Sequence, residues 1–280
     1  VKTVLELIQA TTAFLDRHKV DNPRLNTEHL IAHALGKKRI ELYMEFDRVL
    51  GEHELAPLRD LVRKRADGRP LQHLLGSVEF HGRIFLIDQR ALIPRPETEQ
   101  LVELILGMRT NSGAVQRVID VGTGSGVIGL TLAAEWPQAE VHAADVSSEA
   151  LSLARENAAR LGLQERVQFF ENDLLDAITS RYDLIVANLP YIASDELPHL
   201  SREVQCDPRV ALDGGRRGLD LIARLIGQAP APLDAGGLLA LEIGHDQADD
   251  VEEMLREKFS DIRIETDYHG VRRFAFASHG

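Results

Sequence analysis

Two hydrophobic rhythms divide the chain. Up to about residue 76, apolar side chains recur at steps of three and four. Val4, Leu7, Ile8, Thr11 and Leu15 make one such stripe, the signature of a one-sided helix. Asn26 is placed to cap a second helix carrying Leu30, Ile31, Ala34 and Leu35, and Gly36 to end it. Residues 40–46 form a short third run. Leu55, Leu58, Leu61 and Val62 stripe a fourth helix that stops near Gly68, and Pro70 opens a last short helix closed by Gly76. Residues 1–76 therefore read as a small all-α bundle.

The rhythm then shortens. Residues 78–85 alternate around His81-Gly82 as a hairpin, so 77–90 is expected to be a β-hairpin linker. Pro94 and Pro96 exclude a regular strand, and Pro96 suits the first turn of a helix running to about Met108. Strands are expected at 117–120, 140–144, 167–171, 182–187, 238–243, 262–266 and 272–277. Helices are expected up to Ala134, through Leu161 behind a Ser147 cap, and over 218–228 and 247–259. Repeated β-α-β predicts a mostly parallel sheet covered on both faces. The connection around Tyr268-His269-Gly270 is too short for a parallel crossover, so the last strand should run antiparallel. The fold class is α/β, with the sheet in residues 91–280.

Composition narrows the setting. The 280 residues carry a formal net charge of −12. Residues 1–88 have a net charge of +1 and the rest −13. That asymmetry supports two domains with different partners, and an acidic sheet domain is a poor wrapper of duplex phosphates. A single cysteine, Cys206, permits no internal disulfide and is too little for a zinc cluster, so no metal is expected. No apolar run reaches the ~18–20 residues of a membrane span, and Glu6, Asp16 and Arg17 interrupt any signal-peptide core. A cytoplasmic monomer is the expectation.

The strongest chemical signal is Asp120-Val121-Gly122-Thr123-Gly124-Ser125-Gly126. A strand ends, a glycine-rich turn follows and a helix begins, so backbone N–H groups can approach a ligand closely. The loop suits a dinucleotide, since residues 124–129 match G-x-G-x-x-G, and the longer 120–126 run resembles the loop of a second class of nucleoside cofactor. Asp145, ending the next strand, can accept the two hydroxyls of a ribose in either case, or can cap the following helix. Asn172-Asp173-Leu174 follows the third strand, where Asp173 can equally stabilise a turn. The fourth strand ends in Asn188-Leu189-Pro190-Tyr191. Strand ends line the ligand crevice of such sheets, and here they bring together an amide, a fixed turn and an aromatic ring, a set no dehydrogenase requires.

The glycine loop resembles that of S-adenosylmethionine-dependent methyltransferases, and Asn188-Leu189-Pro190-Tyr191 resembles their Asn-Pro-Pro-Tyr motif for planar amide or exocyclic amino nitrogens. Further stretches extend the likeness along nearly the whole chain. They are Gly68-Arg69-Pro70-Leu71-Gln72, Leu92-Ile93-Pro94-Arg95-Pro96-Glu97-Thr98-Glu99, Asp207-Pro208-Arg209-Val210-Ala211-Leu212-Asp213-Gly214-Gly215 and Leu241-Glu242-Ile243-Gly244-His245-Asp246-Gln247. Together these resemble the PrmC/HemK family, which methylates the glutamine side-chain nitrogen of peptide chain release factors. The resemblance implies a Rossmann-like, seven-stranded class I methyltransferase sheet and S-adenosyl-L-methionine as cofactor. It implies cofactor contacts at Gly122, Thr123, Gly124, Ser125, Gly126, Asp145, Asp173, Leu174 and Asn188, with Asp173 and Leu174 at the adenine. It makes class 1 release factors the partner, held in part by the N-terminal bundle.

The chemistry assigns roles on that footing. An amide nitrogen is a weak nucleophile because its lone pair is delocalised. Asn188 Oδ1 and the Leu189 carbonyl can each accept one of its N–H groups and so aim it. Pro190 fixes the turn, and Tyr191 can cover the flat amide face. Asn188 and Tyr191 are thus the candidate catalytic residues. Leu189 stands where the family has proline, which frees its φ. Two neighbouring activities share this chemistry: glutamine methylation of a ribosomal protein, and N6-adenine methylation of nucleic acid. The second needs a basic track, which the acidic sheet domain opposes, so no direct nucleic-acid partner is expected. The basic cluster Arg59, Arg63, Lys64, Arg65 and Arg69 could greet an acidic protein or form a solvated helix face. Arg95 has no assigned role, and Glu242 and His245 read as structural.

Overall fold

The computed structural model describes residues 2–109 and 115–280. The chain divides into two compact units, one of Val1–Ser77 with Ser201–Cys206, the other of Val78–Leu200 with Asp207–Gly280.

The first unit contains β1 (Lys2–Thr3), α1 (Val4–Arg17), α2 (Pro23–Ala34), α3 (Arg39–Leu42), β2 (Val49–Leu50), α4 (Glu52–Ala66) and α5 (Leu71–Leu75). Thr3 and Glu6 close α1 as a reciprocal capping box, with N···O distances of 3.2 and 2.9 Å. The stripes of α1, α2 and α4 meet in one core around Leu15, Leu30, Ile31 and Leu58. Asn26 does not cap α2. Pro23 starts that helix three residues earlier, its fixed φ suiting the first turn. Asn26 is instead buried, donating to the Asp21 carbonyl at 2.9 Å and accepting from Arg65 Nε at 2.6 Å. Arg65 also donates to the Arg69 carbonyl and to the Glu203 carboxylate, at 3.1 and 2.6 Å. Only 3 % of Arg65 is exposed, so the basic cluster is not one solvated face. Its most central guanidinium is a structural fork that gathers α2, the end of α4 and the 201–206 segment of the same unit.

The second unit starts at Val78, inside the hairpin of β3 (Ser77–Phe80) and β4 (Arg83–Leu86), which is turned by His81 and Gly82, both at positive φ. Phe80 and Phe85 are buried in the same core as Leu101, Ile105 and Leu130, so the expected linker is built into this unit. Then come α6 (Pro96–Arg109), β5 (Arg117–Val121), α7 (Val127–Glu135), β6 (Glu140–Asp145), α8 (Ser148–Leu161), β7 (Val167–Glu171) and β8 (Tyr182–Asn188). They are followed by α9 (Asp220–Gln228), β9 (Leu233–Glu242), α10 (Ala248–Arg256), β10 (Ser260–Thr266) and β11 (Arg272–Ser278).

Seven strands form one sheet in the order β10-β11-β9-β8-β5-β6-β7. β9, β8, β5, β6 and β7 pair in parallel, and β11 is antiparallel to both its neighbours, as the short final connection requires. Apolar layers cover both faces, one holding Leu225, Val251 and Leu255 from α9 and α10, the other Leu101 and Leu130 from α6 and α7. β9 begins five residues before its apolar run, because Leu233 pairs with Tyr182 beyond a register irregularity. The strand order reverses between β5 and β8, and the carboxyl ends there open a crevice. Among the described residues no helix is long and apolar enough to cross a membrane.

Candidate active site

A cavity of about 610 Å³ lies at that crevice, within the ~300–1,000 Å³ usual for small-molecule sites. Its first rim is the glycine loop after β5. The Gly122 and Thr123 amides donate to the Ala144 carbonyl at 2.8 and 3.0 Å, which ties the loop to the end of β6. Gly124 has φ +57°, and a Cβ there would meet nothing closer than Ala91 at 3.8 Å. The glycine is needed for its backbone angle, and the main chain is left bare toward the cavity. Gly126 stands behind the lining as the N-cap of α7, close against Leu130 and Ala154. Beneath the loop, Asp120 accepts from Thr123 Oγ1 at 2.6 Å and from the Gly129 amide at 2.9 Å. Burial pushes its carboxyl up to about 6.

Asp145 faces the cavity from the end of β6. One oxygen accepts from the Gly124 amide and the other from the Ser147 amide, both at 2.9 Å. Burial raises its pKa against those bonds. The carboxylate keeps acceptor capacity for a ligand hydroxyl. The helix-capping alternative falls to Ser147, whose Oγ accepts from Ala150 N at 3.2 Å. The turn after β7 is likewise stabilised by Asn172, which donates to the Leu174 carbonyl at 2.9 Å. Asp173 is paired with Arg224 at 2.9 Å, and both line the cavity beside buried Leu174.

The second rim is the end of β8. Asn188, Leu189 and Pro190 line the same cavity as the glycine loop. Leu189 is 3 % exposed, and its Cδ2 would lie 2.9 Å from a Cβ on Gly122. It fills the apolar space between the two rims. Tyr191 stands apart from the cavity lining. Its ring packs on the core, and its hydroxyl is 3.5 Å from Glu242 Oε1. Burial and the neighbouring Glu242 raise its pKa.

A network behind this rim joins three remote segments. Register places Asn188 directly beside Glu242 on β9. Thr98, in the first turn of α6, donates its hydroxyl to Glu242 Oε2 at 2.7 Å and accepts from Asn188 Nδ2 at 3.0 Å. Thr98 is 2 % and Glu242 1 % exposed. Burial pushes the Glu242 carboxyl up to about 7, opposed by the Thr98 bond and the Arg273 charge. His245 lies away at the exposed end of the same motif.

The Asp-Gly-Gly motif supports the turn. The Gly214 amide donates to the Ile192 carbonyl at 2.8 Å, and Ser194 N donates to the Gly215 carbonyl at 2.9 Å. A Cβ on Gly218 would lie 2.1 Å from the Tyr191 carbonyl oxygen, so no larger residue fits that approach. Gln247 Nε2 donates to the same carbonyl at 2.9 Å. Arg95 pairs with buried Asp207 at 2.9 Å, and Asp207 also accepts from Ile93 N at 3.3 Å. The proline-rich segment before α6 and the 207–215 loop are thereby clasped together.

Sequence reasoning did not assign Thr98, Gln247 or Asp207, although all three lie in stretches it singled out. The partners that tie them to the site, Asn188 and Glu242 for Thr98, Tyr191 for Gln247 and Arg95 for Asp207, are 56 or more residues away in the chain, and no local spacing rule reports such pairs.

The residues present fit a nucleoside–sulfonium cofactor: a bare glycine backbone, an acidic strand end with spare acceptors, and an apolar floor at Leu174 and Leu189. Comparison with known proteins gives the same direction. The family model of the PrmC N-terminal domain matches residues 6–76, and that of the methyltransferase small domain matches 99–204. The chain is 40% identical to the release factor glutamine methyltransferase of Chlorobaculum tepidum, over 98% of this chain and 96% of that one. It is 41% identical to the protein of the same name from Geobacter sulfurreducens, covering 97% and 95%. Among solved structures, the hMettl16 catalytic domain in complex with MAT2A 3'UTR hairpin 6 has TM-score 0.56 at 17% identity, covering 80% of this chain and 81% of that chain. The T. thermophilus 16S rRNA N2 G1207 methyltransferase, in complex with AdoMet and guanosine, has TM-score 0.53 at 21% identity, covering 73% and 50%. These two structures share the fold.

Proposed function

The chain belongs to the release factor glutamine methyltransferases, and from that premise we propose that its cavity brings the glutamine of a release factor's Gly-Gly-Gln loop to S-adenosylmethionine for methylation at N5. One observation carries the reading. The amide-gripping residues Asn188, Leu189 and Pro190 and the cofactor-type residues Gly122–Ser125 and Asp145 line a single space.

When bound, S-adenosylmethionine supplies a methyl group on a positively charged sulfur. The glycine loop and Asp145 would hold its methionyl and ribose parts, and Asp173 and Leu174 its adenine. Asn188 Oδ1 and the Leu189 carbonyl would each accept one N–H of the substrate carboxamide, orienting the nitrogen and drawing electron density onto it. Leu189 and Leu174 keep the space apolar, which favours a reaction that disperses charge. The substrate nitrogen becomes acidic as it is alkylated and sheds its proton to water, so none of these residues has to be a strong base. Tyr191 works from behind, through the turn and Glu242.

We assign residues 1–76 the holding of another part of the release factor, and 91–280 the chemistry, with the 77–90 hairpin packed on the latter. A monomer acting in the cytoplasm completes the reading. The −13 charge of residues 89–280 supports a protein substrate over a nucleic acid.

The test is mass spectrometry of a class 1 release factor incubated with the protein and S-adenosylmethionine. One added methyl group on the Gly-Gly-Gln peptide is expected. Methyl transfer found only on ribosomal protein or on oligonucleotides would overturn the assignment.

A further inference from the structure

The geometry points to Thr98 and Glu242 as positioning residues that lock the Asn188 carboxamide with its oxygen toward the substrate. The inference rests on the role given to Asn188 above and adds what fixes that role. A carboxamide has two faces of opposite hydrogen-bonding sense, and only the oxygen can receive the N–H of a glutamine side chain. A reversed Asn188 would present two donors to two donors.

The hydrogen-bond chain decides between the orientations. An ionised Glu242 only accepts, so the Thr98 hydroxyl has to donate to it, at 2.7 Å. The Thr98 oxygen is then left as an acceptor. Its partner at 3.0 Å is Asn188 Nδ2, and that commits the amide nitrogen inward. Oδ1 is the atom that remains for the cavity, which Asn188 and Thr98 both line. Protonating Glu242 removes the constraint. Its O–H can donate to Thr98, the Thr98 hydroxyl can turn to Asn188, and the amide can reverse. The lock therefore holds only while Glu242 is charged.

The surroundings make that charge conditional. Glu242 faces Thr98 and Glu97 from α6, Asn188 from β8, Tyr191 from the turn after it, and Arg273 from β11. Burial and Glu97 favour the neutral form, while Arg273 and the hydrogen bonds favour the carboxylate. The balance leaves the group titrating at about 7.

Three variants test this in single-turnover methylation of a release factor, alongside binding of S-adenosylhomocysteine and a pH series. Thr98→Val keeps the shape and removes the hydroxyl. It is expected to lower the methylation rate about tenfold or more while S-adenosylhomocysteine affinity stays within about twofold. Thr98→Ser keeps the hydroxyl and should restore most of the rate. A packing role would make serine, which lacks the methyl group, the worse replacement. The wild-type rate should fall about tenfold from pH 8 to pH 6, and Glu242→Gln, which has no proton to lose or gain in this range, should lose that acid limb. Equal rates for the valine and serine variants, or an acid limb that survives Glu242→Gln, would overturn the proposal. Asn188→Ala is run in parallel. If it stays fully active, the reading of Asn188 itself fails. If it is inactive while the Thr98 and Glu242 variants behave as wild type, only the lock fails.

Discussion

The two rims of the cavity are built in opposite ways. The rim after β5 and β6 is made of main chain. Gly122, Thr123 and Gly124 are consecutive, and their amides are held by the Ala144 carbonyl and Asp145. The rim after β8 is made of side chains from distant places: Thr98 of α6, Asn188 of β8 and Glu242 of β9. A backbone rim needs only small residues and the right turn, so it accepts any ligand with matching donors and acceptors. A side-chain rim can be set to one orientation of one functional group. The first suits a common cofactor and the second a particular acceptor atom.

That contrast can be broken at named positions. The largest effect should come from the side-chain rim. Asn188→Ala is expected to lower kcat about 10²-fold or more while cofactor affinity falls far less. Equal losses in both would show that the two rims are not separate.

Glu242 gives the next effect, on stability. Its carboxyl is raised from the ordinary 4.5 to about 7, so the folded protein holds this proton when the unfolded chain has lost it. Between about pH 4.5 and 7 the native state binds more protons, and stability falls as pH rises through that window. Glu242→Gln removes the ionisation. Relative to wild type, it should gain up to about 3 kcal/mol between pH 4.5 and pH 8. Denaturant midpoints at the two pH values check this, and parallel curves for the two proteins would refute it.

On the backbone rim, Asp145→Ala removes the acceptor of the Gly124 amide. It should weaken S-adenosylhomocysteine binding about tenfold, measured by calorimetry, with a smaller change in the rate at saturating cofactor. A rate loss larger than the affinity loss would blur the division. The smallest effect is expected at Leu189→Pro, which restores the residue the family motif carries. Leu189 contributes apolar filling and a carbonyl, and proline offers both, so kcat should move by less than about threefold.

The same contrast explains what could be read from the sequence. The seven strands, their mostly parallel order and the antiparallel last strand follow from local periodicity and one short loop. So does the glycine rim, which is written in consecutive letters. Asn26 was misplaced as a cap because its buried partner, Arg65, lies 39 residues on. The bond between Thr98 and Glu242 is hidden for a similar reason, since the two lie 144 residues apart. Only the register of β8 against β9 reveals that Asn188 and Glu242 are neighbours. Gly214 stands in the Asp-Gly-Gly stretch, and Gly218 follows it closely. Their reason, the approach to the Pro190 and Tyr191 carbonyls, is visible only in three dimensions.

Ser201–Cys206 belongs to the first unit although the chain on either side of it belongs to the second. A truncation drawn after residue 76 would therefore not yield a clean catalytic fragment. It would delete Arg65 and leave Glu203 with no guanidinium to answer it, on a dangling strap that runs straight into the clasp at Asp207. Anyone wishing to study the enzyme in halves would have to excise that strap as well, and join Leu200 to Asp207 by a new link.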